Sequence, residues 1–416
     1  MTSHFFLLSG PLSVERLSWI EESLKFFFVK LNPENLLHHT KAPRDAVFTF
    51  LLTGDALYSL QNPQTLPVWE IILSMPSVKI ICDLKELELR GMSIRRLKMK
   101  NPEQVIDQNS LALNGQPSFW KDVIKYARQH EQPVPSTVGY LQMESPYMNQ
   151  SSHAALQFLA AGVEAHASVD LYTYLDGIHL GHIGQNPSDC ENIGSGLEDI
   201  HERVQKKGLS FQMLACGRCA AARGYSTWDD GQGVVISTCT IKPVKIRNLQ
   251  EIIGQFGRNH IILAKDSASI QFKKEGQPSS FLLQEKEKSP PVTILVTCRP
   301  YGTEEAFGAV SFAVACAHEG FTTRVIFIED GVYALMGEHK LEKGMHFFNL
   351  QEVVDAVAGS ENLQFFAFQP SLNQRGVTKN KKLNAVLDIG IPELGQLLFY
   401  PPNGVSASHQ RIIFFG

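Results

Sequence analysis

Short unbroken apolar runs punctuate this chain, and between them lie longer stretches whose apolar residues return every third or fourth position. The first texture belongs to strands buried on both faces of a sheet, the second to helices laid against it. In the first third of the chain the runs are His4 to Leu8, Phe48 to Leu52 and Val78 to Cys82, with a helical stretch from Val14 to Phe28. In the middle they are Val138 to Leu141, Leu171 to Leu175 and Phe211 to Cys216, with Ser151 to Ala161 as the helix. In the last part they are Thr293 to Val296, Val325 to Ile328 and Phe365 to Phe368, with Glu304 to His318 as the helix, ending near Gly320. Strands alternating with helices predict βαβ units. The expected class is α/β, with mostly parallel sheets carrying helices on both faces.

The three blocks also share their punctuation. Each third run leads through a corner and a short helix to Arg-Gly and an apolar residue: Arg90-Gly91-Met92, Arg223-Gly224-Tyr225 and Arg375-Gly376-Val377. A glycine there fits the left-handed residue that ends a helix, and the arginine favours its negative end. Each second run leads to a small-residue corner with an aspartate suited to cap the next helix: Gly54-Asp55-Ala56, Asp176-Gly177-Ile178 and Asp330-Gly331-Val332. The chain therefore reads as three tandem copies of about 130–150 residues, an ordinary domain size. Polar, proline-containing stretches, Gln129 to Pro133 and Lys273 to Pro291, separate them. The expected division is 1–132, 133–275, a linker at 276–291 taken as a solvated tether, and 292–416.

Composition narrows the function. At 416 residues and a net charge of −4 the chain has no general attraction to nucleic acid or to anionic membrane. Seven scattered cysteines, Cys82, Cys190, Cys216, Cys219, Cys239, Cys298 and Cys316, make no disulfide framework and suit a reducing cytoplasm. The start lacks the basic region and long apolar run of a signal peptide, and no stretch approaches a membrane span.

The chemistry points to Cys216-Gly217-Arg218-Cys219, placed where a strand turns into a helix. Unpaired N–H groups and the positive helix end lower the pKa of a thiol there and favour thiolate, the form that attacks sulfur. A second thiol three residues on turns back over the same face, so Cys219 is a candidate to resolve, to pair with or simply to pack beside Cys216. Arg218 either adds positive charge or faces solvent. Cys82 is a secondary candidate, as a further carrier or a mere strand-end residue. Tyr147 and His153 follow the first strand of the middle block, where an α/β sheet opens its ligand crevice, and are candidates for the mouth of the Cys216 pocket. A zinc site needs a second Cys-x-x-Cys pair or histidines at ligand spacing, and His179, His182 and Cys190 do not supply it. No phosphate-binding glycine loop occurs. Neither metal nor organic cofactor is expected.

The middle segment, Leu214 to Gly224, resembles the DsrE/TusD segment of the DsrE/DsrF-like family, which includes the TusB, TusC and TusD sulfur-relay subunits. Counted back from Arg-Gly, Cys216 takes the place of the family's persulfide-carrying cysteine, and many members have a second cysteine where Cys219 stands. The third block is similar to DsrF/TusC through Pro300-Tyr301-Gly302-Thr303, Phe327 to Val332 and Ser371 to Gly376, but Phe368, Gln369 and Pro370 occupy its cysteine position. The first block is the weakest match and is closest to DsrH/TusB, with Cys82 one residue further from Arg-Gly than Cys216. The resemblance implies a heterotrimer fused end to end, and a homodimer that would mimic the family's hexamer. It implies a sulfurtransferase or persulfide carrier that takes sulfur from a TusA-like donor and gives it to a TusE- or DsrC-like acceptor, for tRNA thiolation or sulfur oxidation. The alternatives are a thiol–disulfide oxidoreductase using Cys216 and Cys219, and a non-catalytic assembly scaffold.

Overall fold

Strand, helix, strand, 3-10 turn, helix, strand, short helix, strand: three segments of the chain follow this order. In the first they are β1 (Thr2–Leu8), α1 (Val14–Lys30), β2 (Ala46–Leu52), the turn Gly54–Leu60, α2 (Leu66–Ser74), β3 (Val78–Cys82), α3 (Leu84–Leu89) and β4 (Val105–Asp107). After α4 (Phe119–Arg128) the middle segment gives β5 (Thr137–Gln142), α5 (Ser151–Glu164), β6 (Ser168–Thr173), the turn Leu175–Gly181, α6 (Ile193–Lys206), β7 (Phe211–Cys216) and α7 (Gly217–Ala222). A hairpin of β8 (Ser226–Asp229) and β9 (Val234–Ser237) precedes β10 (Val244–Arg247), followed by α8 (Leu249–Phe256) and β11 (Ile261–Leu263). Next come β12 (Ser267–Gln271) and the third segment: β13 (Val292–Val296), α9 (Glu305–His318), β14 (Thr323–Phe327), the turn Glu329–Leu335, α10 (Leu350–Val357), β15 (Leu363–Phe368), α11 (Gln369–Gln374) and β16 (Val386–Ile389). The chain closes with α12 (Ile391–Phe399) and β17 (His409–Phe415). This computed structural model describes residues 2–30, 46–75, 77–93, 104–107, 119–128, 137–229, 234–256, 259, 261–271, 290–340, 348–400, 402 and 409–416. The stretch 129–133 and residues 276–289 of the expected linker lie outside the described residues.

The middle segment forms a parallel sheet in the order β10-β7-β6-β5-β11. Its inner strands β5, β6 and β7 are mostly apolar because both faces are covered, as Val138, Tyr140, Val169, Leu171, Met213 and Leu214 illustrate, all buried. The first and third segments share one ten-stranded sheet, β16-β15-β14-β13-β17-β12-β1-β2-β3-β4. Its joint is β12, which runs antiparallel to both β1 and β17. Each segment thus keeps its own run of parallel strands, and the first and third segments are built into a single sheet.

Two compact units result, residues 1–106 with 266–416, and residues 107–265. The divisions expected at 132/133 and 275/276 shift accordingly, for packing reasons the linkers do not reveal. Helix α4 buries Phe119, Trp120, Val123 and Ile124, with Trp120 edge-on to Phe158 of α5 and its indole donating to Gln157 Oε1 at 2.7 Å, so it joins the middle unit. Strand β12 inserts Ala268 and Ile270 into the core of the larger unit, among Phe6, Phe50, Trp69, Leu394 and Phe414.

Candidate functional site

Strand β7 lies inside the middle sheet, between β6 and β10, and ends at Cys216. Cys216 has extended backbone (φ −63°, ψ 120°) and is the N-cap residue of α7. Gly217 follows because a side chain there would come within 3.2 Å of the Arg247 carbonyl on β10. One turn into α7, Cys219 returns beneath Cys216, and its Sγ accepts the N–H of Leu175 at 3.3 Å. Leu175 opens the 3-10 turn after β6 with φ +51°, a left-handed conformation that is uncommon for a side chain of this size. Two glycines seat that turn: a Cβ on Gly177 would fall 2.1 Å from the Gln142 carbonyl, and one on Gly181 2.7 Å from Val244.

The two thiols are polarised in opposite senses. A hydrogen bond from the Cys219 thiol, with the N–H groups of Cys219 and Arg218 and the Arg218 charge, brings the Cys216 thiol down to about 7 against the effect of burial. Cys219 moves up, because its proton serves Cys216 and because it is buried. Helix α7 has six residues, so the help Cys216 receives comes from adjacent N–H groups rather than from a long helix dipole. Cys216 itself is 2% exposed and Cys219 7%.

A polar group borders the thiols. Arg223, of Arg-Gly, pairs with Asp176 at 2.6 Å, pinning the 3-10 turn to the end of α7. The His179 ring nitrogen meets the Tyr225 hydroxyl at 2.7 Å, and His182 packs edge-on to the same tyrosine. Burial lowers the His179 pKa, an effect that the Asp176 charge opposes. Gly91, Gly224 and Gly376 have φ of +63°, +76° and +60° immediately after their short helices, as expected of helix ends. The aspartates are not helix caps: the turns begin at Tyr174 and Ile328 without side-chain capping, and Asp176 and Asp330 are ion-pair partners of the arginines.

The secondary candidates go elsewhere. The Tyr147 hydroxyl accepts the N–H of Ile193 at 3.2 Å and donates to Gln185 Oε1 at 2.6 Å, so it secures the start of α6. His153 lies between Glu191 at 2.8 Å and Gln157 at 2.6 Å, on α5. Neither has a described bond to the Cys216 corner. Arg218 is exposed and acts on Cys216 through its N–H and its charge. Cys82 is fully buried in the core of the larger unit. By strand pairing it corresponds to Ala215 and Ala367, opposite Leu52, Thr173 and Phe327, so the residue at the corner itself is Asp83. Cys190 and Cys239 are exposed, Cys298 half-buried and Cys316 buried.

A family model described as "DsrE/DsrF-like family" matches residues 136–256 and 291–399, more than half of the chain. The chain belongs to the DsrE/DsrF-like family. An uncharacterised protein of Methanopyrus kandleri is 33% identical over 95 residues, 23% of this chain and 74% of that protein. One of Methanocaldococcus jannaschii is 26% identical over 95 residues, 23% of this chain and 78% of its own. The crystal structure of the ychN protein from E. coli aligns at 20% identity with 31% of this chain and 99% of its own, at a TM-score of 0.25.

The two DsrE/DsrF-like matches differ at the corner. In the later one Phe368 replaces Cys216, Ser371 replaces Cys219 and Glu329, with φ +54°, replaces Leu175. The segment outside the matches keeps the same frame, with Gly54 at φ +54°, Asp83 at the corner and Arg90 paired with Asp55 at 2.9 Å. Sequence reasoning missed this recurring Arg–Asp pair and the left-handed residue before the aspartate. The signal was present: the same two residues recur at the same places in all three segments.

Proposed function

We propose that the protein is a sulfur carrier that accepts sulfane sulfur as a persulfide on Cys216 and passes it to the thiol of an acceptor protein. Membership in the DsrE/DsrF-like family points to sulfur relay as the kind of function. The observation that supports the finer reading is the geometry of the thiol pair: Cys216 stands as the N-cap of α7 and Cys219, whose Sγ accepts the Leu175 N–H, comes one turn later, a setting that lowers the Cys216 pKa and favours thiolate.

The chemistry is thiol exchange. The Cys216 thiolate attacks the outer sulfur of a donor persulfide, the donor S–S bond breaks, and the donor leaves as thiolate while the transferred sulfur keeps its proton. In the second step an acceptor thiolate attacks the outer sulfur and Cys216 leaves as thiolate, so no external oxidant is consumed. Because Cys216 is 2% exposed, each transfer involves a local opening at the corner. Family likeness suggests a TusA-like donor and a TusE- or DsrC-like acceptor in a reducing compartment, serving tRNA thiolation or sulfur oxidation. It also suggests that residues 1–132, 133–275 and 292–416 derive from three fused subunits, with dimers of the chain standing for a hexamer.

The test is the intact mass and the cyanolysable sulfur of the full-length protein after treatment with glutathione persulfide. One added sulfur atom is expected in the wild type and none at that site in Cys216→Ser. Equal loading of both proteins, or no loading of either, overturns the reading. The contact between two thiols also favours a dithiol oxidoreductase, which would form a Cys216–Cys219 disulfide and reduce insulin.

A further inference from the structure

Two corners of this chain make the same hydrogen-bond exchange with different atoms. In the third repeat Ser371 Oγ accepts the N–H of Glu329 at 2.9 Å and donates to Glu15 Oε1 at 2.6 Å. In the middle repeat Cys219 Sγ accepts the N–H of Leu175 at 3.3 Å and lies within hydrogen-bond reach of the Cys216 thiol. Both N–H groups belong to the left-handed residue that opens the 3-10 turn. A hydroxyl or thiol that accepts a fixed N–H has one hydrogen to give, and its direction is set by the rest of the corner. In the third repeat that hydrogen goes to a carboxylate, and in the middle repeat the group within reach of it is the Cys216 sulfur.

We propose that Cys219 is a standing hydrogen-bond donor that holds the Cys216 sulfur as an anion, and is not the second thiol of a redox pair. The proposal rests on Cys216 being the reacting sulfur and assigns its neighbour's part. Serine already fills this role in the third repeat, so position 219 needs an S–H or O–H and no sulfur redox chemistry. A consequence concerns bound sulfur. A deprotonated Cys219 would attack the inner sulfur of a Cys216 persulfide, form the Cys216–Cys219 disulfide and release hydrosulfide. A Cys219 that keeps its proton closes that route.

Full-length wild type, Cys219→Ser and Cys219→Ala decide the matter, with Cys216→Ser as the baseline for the other thiols. Thiolate absorbance is followed against pH, and alkylation by iodoacetamide is timed at neutral pH. Wild type and Cys219→Ser are expected to titrate alike, below an ordinary cysteine. Cys219→Ala is expected to titrate higher and to be alkylated about threefold more slowly, its smaller thiolate fraction being partly offset by greater intrinsic nucleophilicity. After persulfide treatment, wild type and Cys219→Ser should retain sulfur equally. The proposal is overturned if Cys219→Ser titrates like Cys219→Ala, or if loaded wild type releases sulfide and gains a disulfide while Cys219→Ser does neither. Should Cys219→Ala fail to fold, the serine comparison alone decides. Should no variant load sulfur, the carrier reading fails and the titration still judges the donor.

Discussion

In the middle repeat the corner after the third strand sets Cys216 over Cys219. In the third repeat it sets Phe368 over Ser371, and helix α1 of the first repeat fills the space around it. There Glu329 accepts two N–H groups of Arg16 at 2.9 Å and the Trp19 indole N–H at 3.0 Å. Arg16 also reaches Asp266 at 3.3 Å, and Asp266 accepts the N–H groups of Ser9 and Gly10. Glu15 is held by Ser371 and by two nitrogens of Arg375. Both corners keep the left-handed residue, the donor beneath the corner and the Arg–Asp pair. Under the proposed function a thiol at the corner makes this frame a reactive site, whereas a buried acid on the left-handed residue makes it a joint. The frame therefore belongs to the fold, and the chemistry belongs to two or three side chains set upon it.

The largest effect is expected at the joint. Arg16→Met leaves Glu329 and Asp266 buried without their cation, and removing one partner of a buried ion pair costs about 3–5 kcal/mol. Amide hydrogen exchange should show that loss across β1, β12, β13 and β17, while the Cys216 titration stays at its wild-type position. A Cys216 titration that moves with the joint would mean that the two corners are not independent, and the contrast drawn between them would collapse.

A smaller effect separates the corners by their glycines. The Cβ of Gly177→Ala would land 2.1 Å from the Gln142 carbonyl, and that of Gly331→Ala 1.9 Å from the Val296 carbonyl. Overpacking of this kind costs roughly 1–3 kcal/mol. Gly177→Ala should also carry Leu175 away from Cys219 and raise the Cys216 titration, whereas Gly331→Ala should disturb only the joint. Hydrogen exchange and thiolate absorbance on both variants check this. Equal titrations in the two would show that the turn does not position the thiols.

Much of this frame is legible in the amino-acid sequence. Apolar runs mark the strands because β7, β13 and β14 are covered on both faces, and Arg-Gly marks the helix ends because Gly224 and Gly376 must be left-handed. Cys216 stands out because it ends one of those runs. The joint is not legible in this way. Arg16 and Glu329 are 313 positions apart, and a charged residue on an amphipathic helix looks solvent-facing until its partner is placed. The change of unit by α4 and β12 is hidden for the same reason, since apolar patterning states that a face is buried but not against which neighbour. Tyr147 reads as part of the thiol site because its position at a strand end suits a ligand crevice, yet its hydroxyl is occupied at the start of α6.

The smallest effect tests the Arg–Asp pair shared by the corners. In the middle repeat Asp176 is the described ion-pair partner of Arg223 and is itself more than half exposed. In the third repeat Arg375 is bound both by Asp330 at 2.8 Å and by Glu15 at 2.7 Å. Exposed pairs contribute at most about 1 kcal/mol, so Asp176→Asn and Asp330→Asn should each cost no more than that, and after Asp330→Asn Glu15 still holds Arg375. The electrostatic consequence is sharper than the energetic one. The Asp176 charge raises the His179 pKa against burial, so its removal should shift the His179 titration further down. Imidazole proton resonances followed against pH measure that shift directly. An unmoved His179, or a loss of several kcal/mol, would show that Asp176 acts as a buried strut rather than as a charge beside the thiol site.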